Sequence, residues 1–368
     1  MKKLSTLLLL VSISLLSYAV TSNDYLPKKD SEAEDLFDLG IKYAKGYGVP
    51  QDYAKAVEYY TQAAEKGLAK AQFNLGVCYQ YGRGVPQDYA KAVQWYTKAA
   101  DQGLGEARCN LGVCYQNGFG VPQDYAKALD LYRNLADQGN STAQTNLGYS
   151  YYYGYGVERD YAKAVEFYKK SADQGNASGQ FNLGICYITG NGVSQDYAKA
   201  VELFTKAAEQ GDVNALYSLG GCYHNGEGVP QDDGKAIDLY TQAANLGQVN
   251  AQLTLAARYY YGNGVKRDYV KAAEWFSMAA EQGSAAGQDG LAVLYYHGRG
   301  VKRDYAKAVE LCSKAAEQGD PTAQVQLGYY YYYGKGVKKD TELAKKWMKA
   351  AANQGNTDAI NFCNQRGW

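Results

Sequence analysis

The chain has 368 residues in which 38 Lys plus Arg are balanced by 38 Asp plus Glu, with two histidines and an excess of tyrosine at 38. A formal charge of zero excludes binding to nucleic acid or to an anionic membrane driven by bulk charge. The 46% hydrophobic content is that of a folded protein rather than a disordered tail.

At the start, Lys2-Lys3, an apolar run from Leu4 to Leu16 and the small-residue pattern Ser17-Tyr18-Ala19 have the form of a secretory signal peptide, residues 1–19, cleaved after Ala19. The apolar run is shorter than the ~20 residues a spanning helix needs, which argues against the alternative of an uncleaved anchor. No cysteine stands at the cleavage point for lipid attachment. The expectation is an exported protein, periplasmic or secreted, with no membrane insertion after cleavage. Residues 20–32 are polar and read as a flexible lead-in.

From residue 33 to 368 the chain repeats every 36 residues, nine times, marked by glycine pairs from Gly46/Gly48 to Gly334/Gly336. A period of this length predicts a stacked array in which each unit buries its apolar face against its neighbours. Within one unit, Ala71, Leu75, Cys78 and Tyr79 recur at helical spacing until Gly82-Arg83-Gly84, which predicts helix A. Asp88 then supplies an N-cap, and Tyr89, Ala92, Val93, Tyr96, Ala99 and Ala100 line the apolar side of helix B, stopped by Gly103. The capping aspartate recurs in all nine units. The small residues after the leucine (Gly76, Gly112, Gly148, Gly184, Gly220, Ala256, Ala292, Gly328) weaken a helix, by roughly 1 kcal/mol for glycine, and so predict the close approach of a neighbouring helix.

The recurring A-x-x-x-L-G-x-x-Y-x-x-G-x-G-V-x-x-D-Y-x-K-A, followed by an aromatic, A-A and a final glycine, closely resembles the Sel-1-like repeat family, relatives of the tetratricopeptide repeats, over about residues 33–366. The resemblance implies an all-α fold, a right-handed α/α solenoid of nine 36-residue helix-turn-helix repeats. Ala359 to Trp368 begins a further helix A with Cys363 at the leucine position, and reads as a terminal cap. Family members serve as adaptors in protein complexes, secreted host-interaction factors and periplasmic regulators, so the resemblance alone does not select a function.

Export raises the question of disulfides. Cys78, Cys114, Cys186 and Cys222 occupy one position of helix A, so successive members stand roughly 8–10 Å apart. That exceeds the Cα separation of about 7 Å that a disulfide tolerates, and the cysteines are expected to be small buried hydrophobes. His224 and His297 lack a histidine or cysteine partner at i+3 or i+4, and the G-x-G pairs lack both the third glycine and a preceding strand. No S-x-x-K, G-x-S-x-G, H-E-x-x-H or G-K-[ST] motif occurs. Neither catalysis, a metal nor a cofactor is expected. The alternative is a cell-envelope enzyme or ligand binder of the penicillin-binding or β-lactamase-like type reported for cysteine-rich relatives, which no residue here carries over.

On helix A, positions equivalent to 73, 77, 80 and 81 form a stripe roughly opposite Leu75, and this predicts a surface turned away from the core. In the related tetratricopeptide repeats the stripe lines a concave groove, and the resemblance implies the same here. Its candidate partner-binding residues are Phe73, Tyr81, Tyr149, Tyr152, Tyr153, Tyr217, His224, Tyr260, Tyr261, Tyr296, His297, Tyr329, Tyr332 and Tyr333. The regularly recurring tyrosines, such as Tyr79 and Tyr151, read as packing residues. The irregular ones suit a binding surface, since tyrosine offers contact area and a polar tip at little entropic cost. Late units also carry Lys266-Arg267, Lys302-Arg303 and Lys338-Lys339 where early units carry Pro-Gln. The reading is an exported, monomeric scaffold that holds a protein or peptide in a tyrosine-rich groove.

Overall fold

The computed structural model describes residues 31–368; the signal peptide and all but the end of the lead-in lie outside the described residues. Among the described residues there are nineteen helices and no strand, and the first helix begins at Ser31. They divide into two compact units, one ending at Asp212 and one spanning Val213–Trp368.

One repeat shows how the sequence dictates the fold. Helix A (Ala69–Tyr81) ends because Gly82 adopts the left-handed conformation, φ 65°, and donates its N–H to the Cys78 carbonyl. Only glycine takes that geometry without a Cβ penalty. Helix B (Tyr89–Asp101) starts where the Asp88 carboxylate accepts from the Lys91 N–H at 2.9 Å. All nine capping aspartates act this way, from Asp52 to Asp340. The Asp88 N–H in turn donates to the Tyr79 carbonyl at 2.9 Å, which folds helix B back on helix A. Lys91 then lies over the Tyr79 ring, 5.2 Å from its centre, and 3.8 Å from the Asp88 carboxylate. The aspartate and lysine of the D-Y-x-K signature thus act with Tyr79 of helix A as one local device: a cap, a cation and the ring it covers.

The small residue after the leucine has the packing reason the sequence demands. A Cβ on Gly76 would stand 2.7 Å from the ring of Tyr96, a fully buried side chain of helix B in the same repeat. Gly148 meets Tyr168 and Gly184 meets Phe204 in the same manner. Where the small residue is Ala256, Phe276 is held instead against Gly290 of the next helix A, whose Cβ would stand 2.5 Å from that ring. A larger residue on one side is matched by a smaller one on the other, as close packing requires.

Cores form between repeats as well as within them. Ala56, Val57, Tyr60 and Ala63 of one helix B pack with Ala71, Leu75 and Cys78 of the next helix A. In the second unit Val309, Cys312 and Ala315 meet Ala323, Leu327 and Tyr330 in the same relation. The final helix (Thr357–Arg366) places Phe362 and Cys363 on Val325, Met348 and Ala351, covering the last repeat as a cap does. The second glycines Gly84, Gly120, Gly192, Gly300 and Gly336 serve this stacking. A Cβ on Gly84, φ 74°, would collide with the backbone carbonyl of Tyr53 in the preceding repeat. All seven cysteines are free and buried.

Candidate functional site: the end of helix A and the turn that follows

The predicted stripe does not present one uniform surface. Its last position, the final residue of helix A, is the open one: Tyr81, Tyr153, Tyr261 and Tyr333 are 37%, 49%, 68% and 57% exposed, and His297 is exposed too. The left-handed glycine that follows turns the chain away, so no later turn of helix covers these side chains. The first position is turned inward, which corrects the expectation that the whole stripe avoids the core. Cys109, Thr145 and Val325 are buried there, and Phe73 and Tyr217 are half-buried against Tyr96 and Tyr240, with ring centres 5.8 and 5.4 Å apart. In a stacked array helix A is flanked on two sides, and this position faces the second flank. Phe73 and Tyr217 therefore have packing partners of their own.

In the first unit the structure brings Tyr149, Tyr152 and Tyr153 together. Tyr149 and Tyr153 stand 4.5 Å apart and Tyr152 and Tyr153 4.9 Å apart, ring centre to centre. Two tyrosines outside the predicted set complete the group: Tyr155, stacked on Tyr153 at 5.6 Å, and Tyr161, edge-on to Tyr152 at 4.9 Å. The Tyr152 hydroxyl accepts from Asn191 Nδ2 at 2.8 Å. Burial pushes the Tyr149 phenol well above its ordinary pKa, followed by the neighbouring phenols Tyr153 and Tyr155. Phenol hydroxyls both donate and accept, so the group offers both kinds of hydrogen bond.

In the second unit the same positions gather aromatic rings and cations. Tyr260 lies 4.9 Å from Tyr261 and 5.4 Å from Tyr269, and its hydroxyl accepts from Arg299 Nη1 at 2.7 Å. Tyr296 contacts His297 at 5.0 Å and Tyr305 at 5.1 Å. Partial burial, then the Arg299 charge, keeps the His297 pKa below that of an ordinary imidazole. Tyr329 and Tyr332 both stand edge-on to Phe362, and Tyr332 also meets Trp368 at 6.0 Å. Tyr333 is the open member of that group.

The middle residue of each G-x-G was missed as a contact residue. Phe119 stacks on Tyr89 at 4.9 Å, Tyr155 on Tyr125 at 5.1 Å, and Arg299 lies 5.6 Å from the Tyr269 ring centre. In each case the partner is the first residue of the preceding helix B, thirty positions earlier, and that constant offset was the available signal.

His224 is the one predicted site residue held in a charged cluster. Its Nδ1 lies 2.7 Å from Asp233 Oδ1, which also receives Arg258 Nη1 at 3.4 Å. The hydrogen bond from His224, and then the nearby Arg258 guanidinium, hold the Asp233 carboxyl below its ordinary pKa. Among the described residues no hydroxyl or thiol hydrogen-bonds to this imidazole, and no group of three or more His, Cys, Asp or Glu is placed to hold a metal. Nor is any described helix long and apolar enough to cross a membrane.

Comparison with known proteins agrees with the repeat geometry. The Sel1 repeat model matches nine consecutive blocks, 33–68, 69–104, 105–140, 141–176, 177–212, 213–248, 249–284, 285–320 and 321–356. Among solved structures, a Sel1 repeat protein from Oxalobacter formigenes is 33% identical, with a TM-score of 0.57 over 82% of this chain and 87% of that one. A protective antigen present in uropathogenic Escherichia coli strains, displaying an SLR fold, is 37% identical over 91% of this chain and 80% of that one, with a TM-score of 0.46. No match emerges among curated proteins. With its capping aspartates, its paired glycines and its ring-on-glycine packing all recurring at the period that the family model finds, the chain belongs to the Sel1 repeat family.

Proposed function

We propose that this Sel1-repeat helical scaffold is exported and binds a protein or peptide partner along the ends of its A helices. The observation that carries the reading is the exposed tyrosines at the last helix-A position, Tyr81 and Tyr153 in the first unit and Tyr261 and Tyr333 in the second, at a place that other repeats fill with Asn117, Thr189 or Asn225. A partly exposed ring beside others already in contact offers apolar area without a large loss of side-chain freedom on binding. Membership of a family of protein-binding scaffolds supports the same reading. The envelope-enzyme alternative draws no support from His224, whose carboxylate partner is shared with Arg258 rather than aligned with a nucleophile.

The test is site-specific photo-crosslinking in the producing cell. A photoreactive phenylalanine analogue replaces Tyr153, Tyr261 or Tyr333, and as a control Glu202, an exposed helix-B residue. Crosslinks to a partner polypeptide are expected from the three stripe positions and not from the control. Equal crosslinking from Glu202, or none from the stripe, overturns the surface. Cell fractionation with N-terminal sequencing tests export, the expected product starting at Val20.

A further inference from the structure

We infer that the turn edge of the second unit, Val213–Trp368, is a receptor for an acidic polypeptide segment. The inference rests on the protein-binding reading above and adds the chemistry of the partner.

Three successive turns of this unit, residues 262–268, 298–304 and 334–340, carry the pairs Lys266-Arg267, Lys302-Arg303 and Lys338-Lys339, with Arg299 and Lys335 in the middle of two of the glycine pairs. All are exposed. Their only carboxylates are the three capping aspartates, and these already accept backbone N–H groups: Asp268 from Val270 and Lys271, Asp304 from Lys307, Asp340 from Leu343. Among the described residues, none of the eight cations forms an ion pair. The cations of helix B in the first unit behave otherwise, with Lys91, Lys127, Lys163 and Lys199 each within 4 Å of a capping aspartate. In the first unit the equivalent turns read G-Y-G-V-P-Q-D, G-R-G-V-P-Q-D, G-F-G-V-P-Q-D, G-Y-G-V-E-R-D and G-N-G-V-S-Q-D, with no comparable surplus. A local excess of cations within a chain of zero net charge is a feature of this edge, and the fold does not demand it.

The aromatic neighbours make the edge more than a solvated charge run. Arg267 lies over Tyr269 at 5.5 Å, Arg303 over Tyr305 at 5.4 Å and Lys339 over Tyr332 at 5.6 Å. A guanidinium laid on a ring loses side-chain freedom before any ligand arrives, while its planar fork of N–H donors stays available for a carboxylate. The exposed Tyr261 and Tyr333 touch Tyr260 and Tyr332, the rings that meet Arg299 and Lys339, and so supply apolar contact one ring away from charge.

Geometry favours an extended chain. Packed helices stand about 8–10 Å apart, so successive turns recur at roughly that spacing, which is about three residues of extended polypeptide at ~3.3 Å each. Carboxylates at every third position would meet one turn after another.

The experiment uses the chain from residue 20 to 368 and fluorescence anisotropy with labelled twelve-residue peptides. The probes are an (Asp-Ala-Tyr) repeat, its Asn-for-Asp counterpart, and an oligothymidylate of matching charge. The acidic peptide is expected to bind at least tenfold more tightly than its neutral counterpart, and to weaken when salt rises from about 0.05 to about 0.3 M. Lys302→Glu/Arg303→Glu, and the milder Lys338→Gln/Lys339→Gln, are expected to lower affinity at least fivefold with unchanged circular dichroism. Reversing Lys98 and Lys170 in the first unit is expected to leave it unaltered. Equal binding of the neutral peptide, tighter binding of the oligonucleotide, or insensitivity to both turn variants overturns the inference. If the peptide fails while stripe crosslinks persist, only this inference falls; if the crosslinks fail, the scaffold surface itself is wrong.

Discussion

Gln102 donates through Nε2 to Oε1 of buried Gln72 at 2.8 Å, and Gln72 passes its own Nε2 to the Ala64 carbonyl of the preceding repeat at 3.1 Å. The same pair, thirty residues apart, recurs as Gln144/Gln174, Gln180/Gln210, Gln252/Gln282, Gln288/Gln318 and Gln324/Gln354. In the repeat at 213–248 both members are leucine, Leu216 and Leu246. Gln102→Leu alone should leave a buried acceptor on Gln72 without a donor and cost about 1–3 kcal/mol, whereas Gln72→Leu/Gln102→Leu copies the natural pair and should recover most of the loss. Urea unfolding of the two single variants and the double variant measures the coupling; strict additivity would show that the pair is incidental.

Gly76→Ala sets two effects against each other. Helix propensity favours alanine by about 1 kcal/mol, while a Cβ 2.7 Å from the Tyr96 ring forces a shift in a closely packed core at about 1–3 kcal/mol. The net expectation is a lower melting temperature. Gly105→Ala, whose new Cβ would have its nearest neighbour, Leu135 Cδ2, at 3.5 Å, should leave the melting temperature unchanged or raise it. Calorimetry of both variants checks the contrast.

Asp289 occupies the inward position of the stripe that Phe73 and Cys109 fill elsewhere, and its Oδ1 is buried without a hydrogen-bond partner. Burial, then the nearby Asp320 carboxylate, pushes its pKa up to about 6. Because the folded value lies above the unfolded one near 4, the folded state holds the extra proton between these values. Stability therefore falls as pH rises from about 4 to about 6, and the full penalty, up to about 3 kcal/mol, is present at neutral pH. Asp289→Asn should unfold at higher urea than the parent at pH 7.5, and the difference should shrink at pH 5. An equal difference at both pH values would show that the carboxyl is not the source.

The thiols should be silent in the native state. Burial pushes Cys78 and Cys222 up to about 11 and Cys109, Cys114 and Cys186 up to about 12, so the reactive thiolate is scarce at neutral pH. A chromogenic disulfide reagent should titrate fewer than one thiol per folded chain and close to seven in denaturant without reductant. Three or fewer after denaturation would mean that two or more disulfides form.

The local devices were legible because they are written at short range. The capping aspartate, the terminating Gly82 and the small Gly76 all act within one helix pair, so a single repeat contains both partners. What escaped the sequence reading lies between repeats. A helical wheel gives helix A one buried side, yet Thr145 and Val325 are buried on a second side, Thr145 against Ser171 and Asn176 and Val325 in one cluster with Met348 and Phe362, where their own helix B and the start of the following helix meet. The stacking of Phe119 on Tyr89 and of Tyr155 on Tyr125 likewise joins two repeats, and no wheel drawn on one helix can show it. Of the candidate site, Tyr153, Tyr261 and Tyr333 and the basic pairs Lys266-Arg267 and Lys302-Arg303 stand out in the sequence, while the laying of Arg267 on Tyr269 and of Arg303 on Tyr305 needed the coordinates.

The seat of Gly84 on the Tyr53 carbonyl gives the stack a direction: Gly84, Gly120, Gly192, Gly300 and Gly336 each rest on the repeat before, and a Cβ on Gly48, in the first repeat, would meet nothing within 4 Å among the described residues. Every such seat joins equivalent residues a fixed number of positions apart. Unequal recombination that removes or duplicates one 36-residue block within either unit therefore rejoins like surfaces and leaves each seat filled. Selection can lengthen or shorten this chain, and bring different tyrosines and cations side by side, without first having to invent a new core.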